Sequence, residues 1–97
     1  MIKEISGLSN LHNLSTLNLA HNSITRVSGL EGCFNLAQID LSWNHIIDIK
    51  ECEMLQDLPL LTCLDLRNNH IENHDDIVPF FEKMTQLLCL YLKNNPC

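Results

Sequence analysis

Basic residues are scarce in this chain of 97 residues, which has six Lys and Arg against twelve Asp and Glu and a formal net charge of −6. The six cations are scattered singly, whereas binding to nucleic-acid phosphates needs clustered Lys and Arg, so direct nucleic-acid binding is not expected. No apolar run reaches the roughly 18 residues of a transmembrane helix. The opening residues, Met1 to Ile5, lack the apolar stretch and cleavage site of a secretory signal.

Glycine and catalytic motifs are also scarce. The three glycines leave no Gly-rich phosphate loop, and the sequence has no Ser or Cys nucleophile motif. The five cysteines are an odd number without CxxC spacing, so they do not predict a zinc site. We therefore expect a non-catalytic protein with no cofactor and no bound metal.

One short phrase, apolar-x-x-apolar-x-apolar-x-x-Asn, occurs four times in the chain. The copies start at Leu14, Leu36, Leu61 and Leu87, so they are 22, 25 and 26 residues apart. Periods of roughly 20–29 residues are typical of leucine-rich repeats. Each Leu-x-Leu predicts a short strand with both leucines buried. The asparagine side chains should bond the backbone of the turns and stack as a ladder; they are Asn22, Asn44, Asn69 and Asn95.

The segments between these phrases have an apolar residue at every third position. The first complete series is Ile24, Val27, Leu30 and Cys33. A period of three is too short for an amphipathic α-helix and predicts 3₁₀-like or short helical coils. A short helix is expected over residues 53–57. Asp75 and Asp76 predict the acidic start of a longer helix of two or three turns, with Pro79 in its first turn.

The predicted architecture is an α/β leucine-rich-repeat solenoid. It has a parallel concave sheet of short strands and a convex side of 3₁₀ or short helices. Residues 1–97 form one domain, divided into a partial repeat 1–13, repeats 14–35, 36–60 and 61–86, and a partial repeat 87–97. Terminal repeats normally carry a polar cap, and neither end has one. The chain therefore either belongs to a longer solenoid, which we expect, or self-associates through its uncapped ends.

Residues between the buried leucines should face outward on the concave side. Trp43, the only tryptophan, falls in one outward column beside His21 and Asn68. An exposed tryptophan on such a face is a good anchor for a protein partner. The alternative interpretation is that Trp43 folds over its neighbours as rim packing.

Asp40 and Asp65 are expected on neighbouring strands, where stacked like charges are destabilising unless a cation lies against them. That cation is either a group of the partner or Arg67, one column away. Asp40 and Asp65 do not predict catalysis, because an open surface has no pocket to shift a pKa. The full predicted partner-binding set is His21, Gln38, Asp40, Trp43, Asp65, Arg67 and Tyr91.

Two further pairs share columns on adjacent repeats. Cys63 and Cys89 are expected about 5 Å apart, from the spacing of strands. They are interpreted as free thiols, the alternative being a pair that oxidises or holds a metal. His45 and His70 occupy the column after the turn asparagine, and no third ligand is evident near them. The sequence therefore does not predict a metal site.

The unit N-x-I-x-x-I-x-x-L with its 22-residue period resembles the short intracellular class of repeats typified by the regulatory subunit of protein phosphatase 1. The chain is also similar to the leucine-rich part of the dynein axonemal assembly factor 1 family. The stretches that carry this second resemblance are HNLSTLNLAHNSITRVSGLEGC, DIKECEMLQDLPLLTCLDLRNNHI and DDIVPFFEKMTQLLCLYLKNNPC. The capping motif and long tail of that family are not present after Asn95-Pro96.

This resemblance implies a scaffold that helps to preassemble dynein arms in the cytoplasm of ciliated cells. Its implied partners are dynein chains, chaperones and other assembly factors. A cytoplasmic location is also favoured because the sequence lacks the disulfide-rich caps that bracket extracellular leucine-rich repeats. Two alternatives are a regulatory subunit that binds protein phosphatase 1, and a spliceosomal leucine-rich partner of an RNA-binding protein.

Overall fold

Four strands of three residues each form one parallel sheet, in which neighbours in sequence are neighbours in space. A computed structural model describes all 97 residues. In chain order the elements are β1 (Thr16–Asn18), β2 (Gln38–Asp40), a 3₁₀ helix (Ile49–Asp57), β3 (Cys63–Asp65), α1 (His74–Glu82) and β4 (Cys89–Tyr91). The parallel sheet and the 3₁₀ helix confirm the leucine-rich-repeat solenoid predicted from the sequence.

The strand register follows the repeat phrase. The central residue of each strand pairs with the central residue of the next, and this inward column is Leu17, Ile39, Leu64 and Leu90. Because side chains alternate along a strand, the flanking residues of each strand point away from the core. Equivalent positions of successive repeats therefore form columns on the concave surface.

The core is a stack of aliphatic layers contributed by successive repeats. Twenty buried apolar residues form one cluster, and Ile24, Ile46 and Ile71, which occupy the same position in three repeats, are fully buried. Burying one such side chain contributes roughly 1.5–3 kcal/mol, more than a three-residue strand gains from its own pairing. The repeats are thus held together mainly by packing between layers.

Two of the buried core residues are cysteines. Cys33 and Cys52 are free thiols with no exposed surface. Burial raises the pKa of Cys52 to about 12, with smaller contributions from the charges of Glu51 and Asp48. A thiol in this state stays protonated and packs as a small hydrophobic group.

The apolar period of three corresponds to a repeated backbone hydrogen bond. The N–H of Leu36 donates to the carbonyl of Cys33 at 3.2 Å, and the N–H of Cys33 donates to the carbonyl of Leu30 at 3.0 Å. These i→i+3 bonds return every third side chain to the same side of the chain. The pattern therefore produces turns that hold the coil against the core even where no helix forms.

The buried asparagines join successive repeats. The side-chain amide of Asn44 donates to the carbonyls of Leu19 and Leu41, both at 3.0 Å, and its Oδ1 accepts the N–H of Ile24 at 2.9 Å. Leu19 and Ile24 belong to the preceding repeat, so one side chain bonds the backbone of two repeats. Asn69 makes the equivalent bonds one repeat later, and both residues are almost completely buried.

Two details of the helices differ from the sequence prediction. The 3₁₀ helix begins at Ile49 rather than at residue 53, because Asp48 Oδ1 accepts the N–H of Lys50 at 2.9 Å and caps an earlier start. The prediction that Pro79 lies in the first turn of α1 was wrong, since Pro79 is inside the helix that starts at His74. The carbonyl of Asp75 loses a helical partner there, which is tolerated because both residues are exposed to solvent.

We expect Asn44→Ala to lower the free energy of unfolding by about 1–3 kcal/mol, because it leaves buried backbone groups of two repeats without hydrogen-bonding partners. Urea unfolding followed by circular dichroism measures the change. Asn13→Ala is the matched control, since Asn13 is exposed and outside the ladder. Equal unfolding midpoints for the two variants would contradict the structural role of the ladder.

Candidate functional site

The concave face consists of the outward-facing residues of the four strands and of the turns that follow them. Its centre is a shallow depression of about 280 Å³, lined in part by Asn18, Gln38, Asp40, Asp65 and Tyr91. Strand register places the equivalent residues of the four repeats side by side. All seven residues of the predicted partner-binding set thus lie on one continuous face.

One column of this face consists of Asn18, Asp40, Asp65 and Tyr91. It has a structural role that the sequence analysis did not predict. Asn18, Asp40 and Asp65 each accept, through the side-chain Oδ1, the backbone N–H of the residue two positions later, at 3.0, 2.9 and 3.0 Å. Such local bonds are typical of Asn and Asp at turns. The column therefore stabilises the ends of the strands, and Tyr91 is the one member without such an acceptor.

The two stacked aspartates have different environments. Arg67 binds Asp65 through Nε to Oδ1 at 3.0 Å and through a terminal nitrogen to Oδ2 at 2.7 Å. Asp40 instead accepts the hydroxyl of Ser42 through Oδ1 at 2.6 Å, and its Oδ2 makes no hydrogen bond within the chain. The sequence analysis left open whether Arg67 or a group of the partner neutralises the two aspartates. Arg67 neutralises Asp65, whereas one carboxylate oxygen of Asp40 has no hydrogen-bonding partner in the chain.

The ion pair of Asp65 and Arg67 also determines their protonation. Burial raises the pKa of the Asp65 carboxyl, but hydrogen bonds from the Arg67 side chain and backbone, together with its charge, bring this pKa below the ordinary value. Hydrogen bonding to Asp65 and the charge of Asp65 raise the pKa of Arg67, with smaller contributions from the charges of Asp40 and Tyr91. Arg67 also lies over the ring of Tyr91, with the guanidinium carbon 5.2 Å from the ring centre. These three side chains form one ordered group.

Trp43 is half-exposed, with 53% of its surface accessible. Its ring is stacked on that of His21, with the ring centres 5.5 Å apart and an angle of 11° between the planes. Both expected features are therefore present: the ring is supported by a neighbour, and a large part of it faces solvent. The stacking fixes the orientation of the indole, which lowers the entropy cost of using it as a contact surface.

The backbone at Trp43 is in the left-handed region, with φ of 59°. The same conformation occurs in the equivalent residue of every repeat, namely His21, Trp43, Asn68 and Asn94. Asparagine is common in this region, whereas a bulky residue is rare there. The sequence analysis placed Trp43 in one column with His21 and Asn68 but missed the left-handed conformation of that column, although the two asparagines at equivalent positions were a signal for it.

The remaining paired columns show no built metal site. Cys63 and Cys89 are free and lie in direct register on β3 and β4. His45 and His70 stack with ring centres 5.7 Å apart. No group of three or more His, Cys, Asp or Glu side chains is arranged to hold a metal ion.

Neither helix has the length and apolar character needed to cross a membrane.

A second cavity, of about 270 Å³, lies between the 3₁₀ helix and α1. Three of its polar side chains are engaged within the chain: Lys50 is paired with Asp76 at 3.6 Å, and the Gln56 side chain donates to the carbonyl of Phe80 at 3.0 Å. This cavity is a packing seam between two helices. The concave face is the better candidate site because it combines an exposed aromatic ring with an unpaired carboxylate oxygen.

Comparison with known proteins agrees with the geometry. A Leucine rich repeat family model matches residues 5–46, and a second Leucine Rich Repeat model matches residues 60–84. This chain is therefore a leucine-rich-repeat protein. Such repeats generally mediate protein–protein interaction, and proteins built from them are typically non-catalytic. No curated relative matches the chain.

Solved structures with a similar fold include two internalins from Listeria monocytogenes. Internalin C2 is 29% identical with a TM-score of 0.76, and the match covers 97% of this chain and 38% of that one. The internalin inlF is 26% identical with a TM-score of 0.60, and the match covers 97% of this chain and 33% of that one. This chain thus spans well under half of the length of these structures.

We expect the Asp65–Arg67 ion pair to make the free energy of unfolding fall as the solution becomes acidic. Because the pKa of Asp65 is lowered by folding, its contribution is present above the ordinary carboxyl pKa of about 3.9 and is lost as the pH falls toward the lower folded value. Asp65→Asn keeps an oxygen that can accept the backbone N–H of Arg67, but it removes the carboxylate charge and with it the pH-dependent part of the stability. Urea unfolding between about pH 6 and pH 3 should show a smaller loss of stability in the variant.

The control for this experiment is Asp57→Asn, which removes an exposed carboxylate that is in no ion pair. It should retain the acid dependence of the wild type. If Asp65→Asn and Asp57→Asn showed the same dependence on pH as the wild type, the ion pair would not contribute to stability.

Proposed function

We propose that this protein is a non-catalytic scaffold that binds a protein partner on its concave face, with Trp43 as the anchor. The observation that carries the proposal is a half-exposed tryptophan held in a left-handed backbone conformation and stacked on His21. Exposed tryptophans in such settings are enriched among the residues that dominate binding energy.

The backbone conformation strengthens this argument. A left-handed conformation costs a residue with a side chain roughly 1–2 kcal/mol, and asparagine bears it best. Asn68 and Asn94 occupy the equivalent position in later repeats, so the fold itself would be served by asparagine at position 43. The left-handed conformation is common to all four repeats and belongs to the fold, so the fold does not require tryptophan in place of asparagine at this position. Trp43 is therefore better explained by binding than by folding.

The charges around Trp43 indicate the chemistry of the partner. Asp40, three residues before Trp43 in the same repeat, has a carboxylate oxygen with no hydrogen-bonding partner in the chain, whereas Asp65 is occupied by Arg67. The partner that fits offers an apolar pocket for the indole and a basic side chain for Asp40. Gln38, Arg67 and Tyr91 would contribute the polar edge of the interface.

Within this class we place the protein in the cytoplasmic preassembly of axonemal dynein arms, in ciliated cells. The support is the likeness of three stretches of the chain to the dynein axonemal assembly factor 1 family, together with the free thiols Cys33 and Cys52 in the core, which suit a reducing compartment. Dynein chains, chaperones or other assembly factors are the proposed partners.

Two other pathways use the same kind of face. A regulatory subunit of protein phosphatase 1 would hold a folded enzyme there, and a spliceosomal leucine-rich protein would hold an RNA-binding protein. A spliceosomal partner would be expected to present a basic helix. That helix could form an ion pair with Asp40 only, because Asp65 is already neutralised by Arg67.

The central test replaces Trp43 with asparagine. Trp43→Asn suits the left-handed backbone, as Asn68 and Asn94 show, so the fold should be retained while the aromatic anchor is lost. We expect the affinity for the partner to fall by about 2 kcal/mol or more, which corresponds to roughly 30-fold in Kd. Isothermal titration calorimetry with the purified partner gives the value, and circular dichroism checks the fold.

The matched control is Phe34→Asn, which removes another exposed aromatic ring stacked on a histidine, His12, at 5.4 Å between ring centres, outside the concave columns. It should bind with nearly unchanged affinity. If Trp43→Asn bound as tightly as this control, Trp43 would be rim packing and the proposed anchor would be refuted.

The pathway is tested by affinity capture from the cytosol of ciliated cells, with wild type and Trp43→Asn compared by quantitative mass spectrometry. Dynein chains or chaperones captured by the wild type and lost in the variant would support assembly of dynein arms. Phosphatase or splicing subunits lost in the same way would keep the site but move the protein to another pathway.

A further inference from the structure

Cys63 and Cys89 occupy matching positions at the start of β3 and β4. They are direct partners in the parallel register, and the next pair along is Leu64 with Leu90. Adjacent strands are about 4.8 Å apart, which falls inside the range of roughly 4.4–6.8 Å between the Cα atoms of disulfide-bonded cysteines. The fold therefore brings two cysteines, 26 positions apart in sequence, within the Cα separation that a disulfide spans.

These two cysteines are more accessible than the cysteines of the core. Cys33 and Cys52 are fully buried, whereas Cys63 is half-buried and Cys89 is exposed. Burial, together with the neighbouring Cys89 and the charge of Asp65, raises the pKa of Cys63. Cys63 therefore holds its proton beside the sulfur that small molecules can reach from solvent.

We propose that Cys63 and Cys89 form a dithiol that is reversibly oxidised to a disulfide across β3 and β4 by thiol–disulfide exchange with a small disulfide such as oxidised glutathione. Both cysteines lie on the concave face, in the column that contains Gln38, but their oxidation needs no protein partner.

The exchange has two steps. The Cys89 thiolate attacks one sulfur of the small disulfide, which forms a mixed disulfide on Cys89 and releases one thiol. Cys63 then gives up its proton to solvent and attacks the Cys89 sulfur, which releases the second thiol. Two protein thiols and one small disulfide become one protein disulfide and two small thiols, so electrons and protons balance. The accessible Cys89 is the attacking residue, and the protonated Cys63 is the resolving residue.

The geometry also makes the bond reversible. Side chains at paired positions of a parallel sheet project in the same direction, so the two sulfurs lie side by side and must turn toward each other to bond. Departures from the preferred disulfide geometry store strain and make a bond easier to reduce. Exposed, strained disulfides are the labile and regulatory ones. The pair therefore suits a switch better than a permanent cross-link.

The test incubates the folded full chain with oxidised glutathione, blocks the remaining thiols with iodoacetamide, and measures intact mass and tryptic peptides. The variant Cys97→Ser is used as the background, because Cys97 is a third accessible thiol. We expect loss of two hydrogens with no retained glutathione, and a linked pair of peptides that contain Cys63 and Cys89. Dithiothreitol should restore the reduced mass.

Two further variants in this background identify the residues. Cys63→Ser should accumulate glutathione on Cys89, since no resolving thiol remains, and Cys89→Ser should lose most of the reaction. Cys52 shares a tryptic peptide with Cys63, so Cys52→Ala should still form the link. Circular dichroism of each variant confirms that it is folded.

The proposal fails if the chain with both cysteines intact retains glutathione on Cys89 while Cys63 is alkylated. It also fails if the linked peptides persist in Cys63→Ser. Neither result would bear on the Trp43 site, because no partner is used in this experiment.

Discussion

Hydrogen bonds from the buried asparagines are the interaction on which the rest of the structure depends. A strand of three residues cannot hold its own register, and leucine layers alone would tolerate sliding of one repeat over the next. Asn44 prevents this because its amide must meet the carbonyls of Leu19 and Leu41 together. A shift by one residue would leave these groups buried and unpaired, at a cost of roughly 1–3 kcal/mol for each. Apolar packing supplies most of the stability, and the asparagines determine which packing is formed.

The same asparagines determine the conformation of the neighbouring concave residue. For the Asn44 side chain to turn inward after β2, the chain reverses direction at residue 43, which takes the left-handed conformation. The reversal directs the side chain at position 43 outward, where His21 from the preceding repeat supports it. A structural requirement of the core thus creates an exposed, well-ordered position in each repeat. At position 43 this outward residue is the tryptophan that we propose as the anchor.

Much of this fold can be predicted from the sequence, because the repeat phrase encodes both the strand and the turn that follows it. The columns of the concave face follow from register alone. Helix boundaries were less predictable: Asp48 caps the 3₁₀ helix at Ile49, and Pro79 is tolerated inside α1 because its surroundings are exposed. These outcomes depend on local hydrogen bonding and solvent contact, which periodicity does not report.

The candidate site was harder to predict because one residue type serves two roles. Asp40 and Asp65 look alike in sequence, and both accept a backbone N–H two positions later. Only the structure separates them, since Arg67 saturates Asp65 whereas Ser42 contacts a single oxygen of Asp40. A stack of carboxylates therefore does not by itself indicate a ligand. After the fold has used its own groups, one carboxylate oxygen of Asp40 and the supported indole of Trp43 remain, and we propose the interface on these two groups rather than on the whole columns.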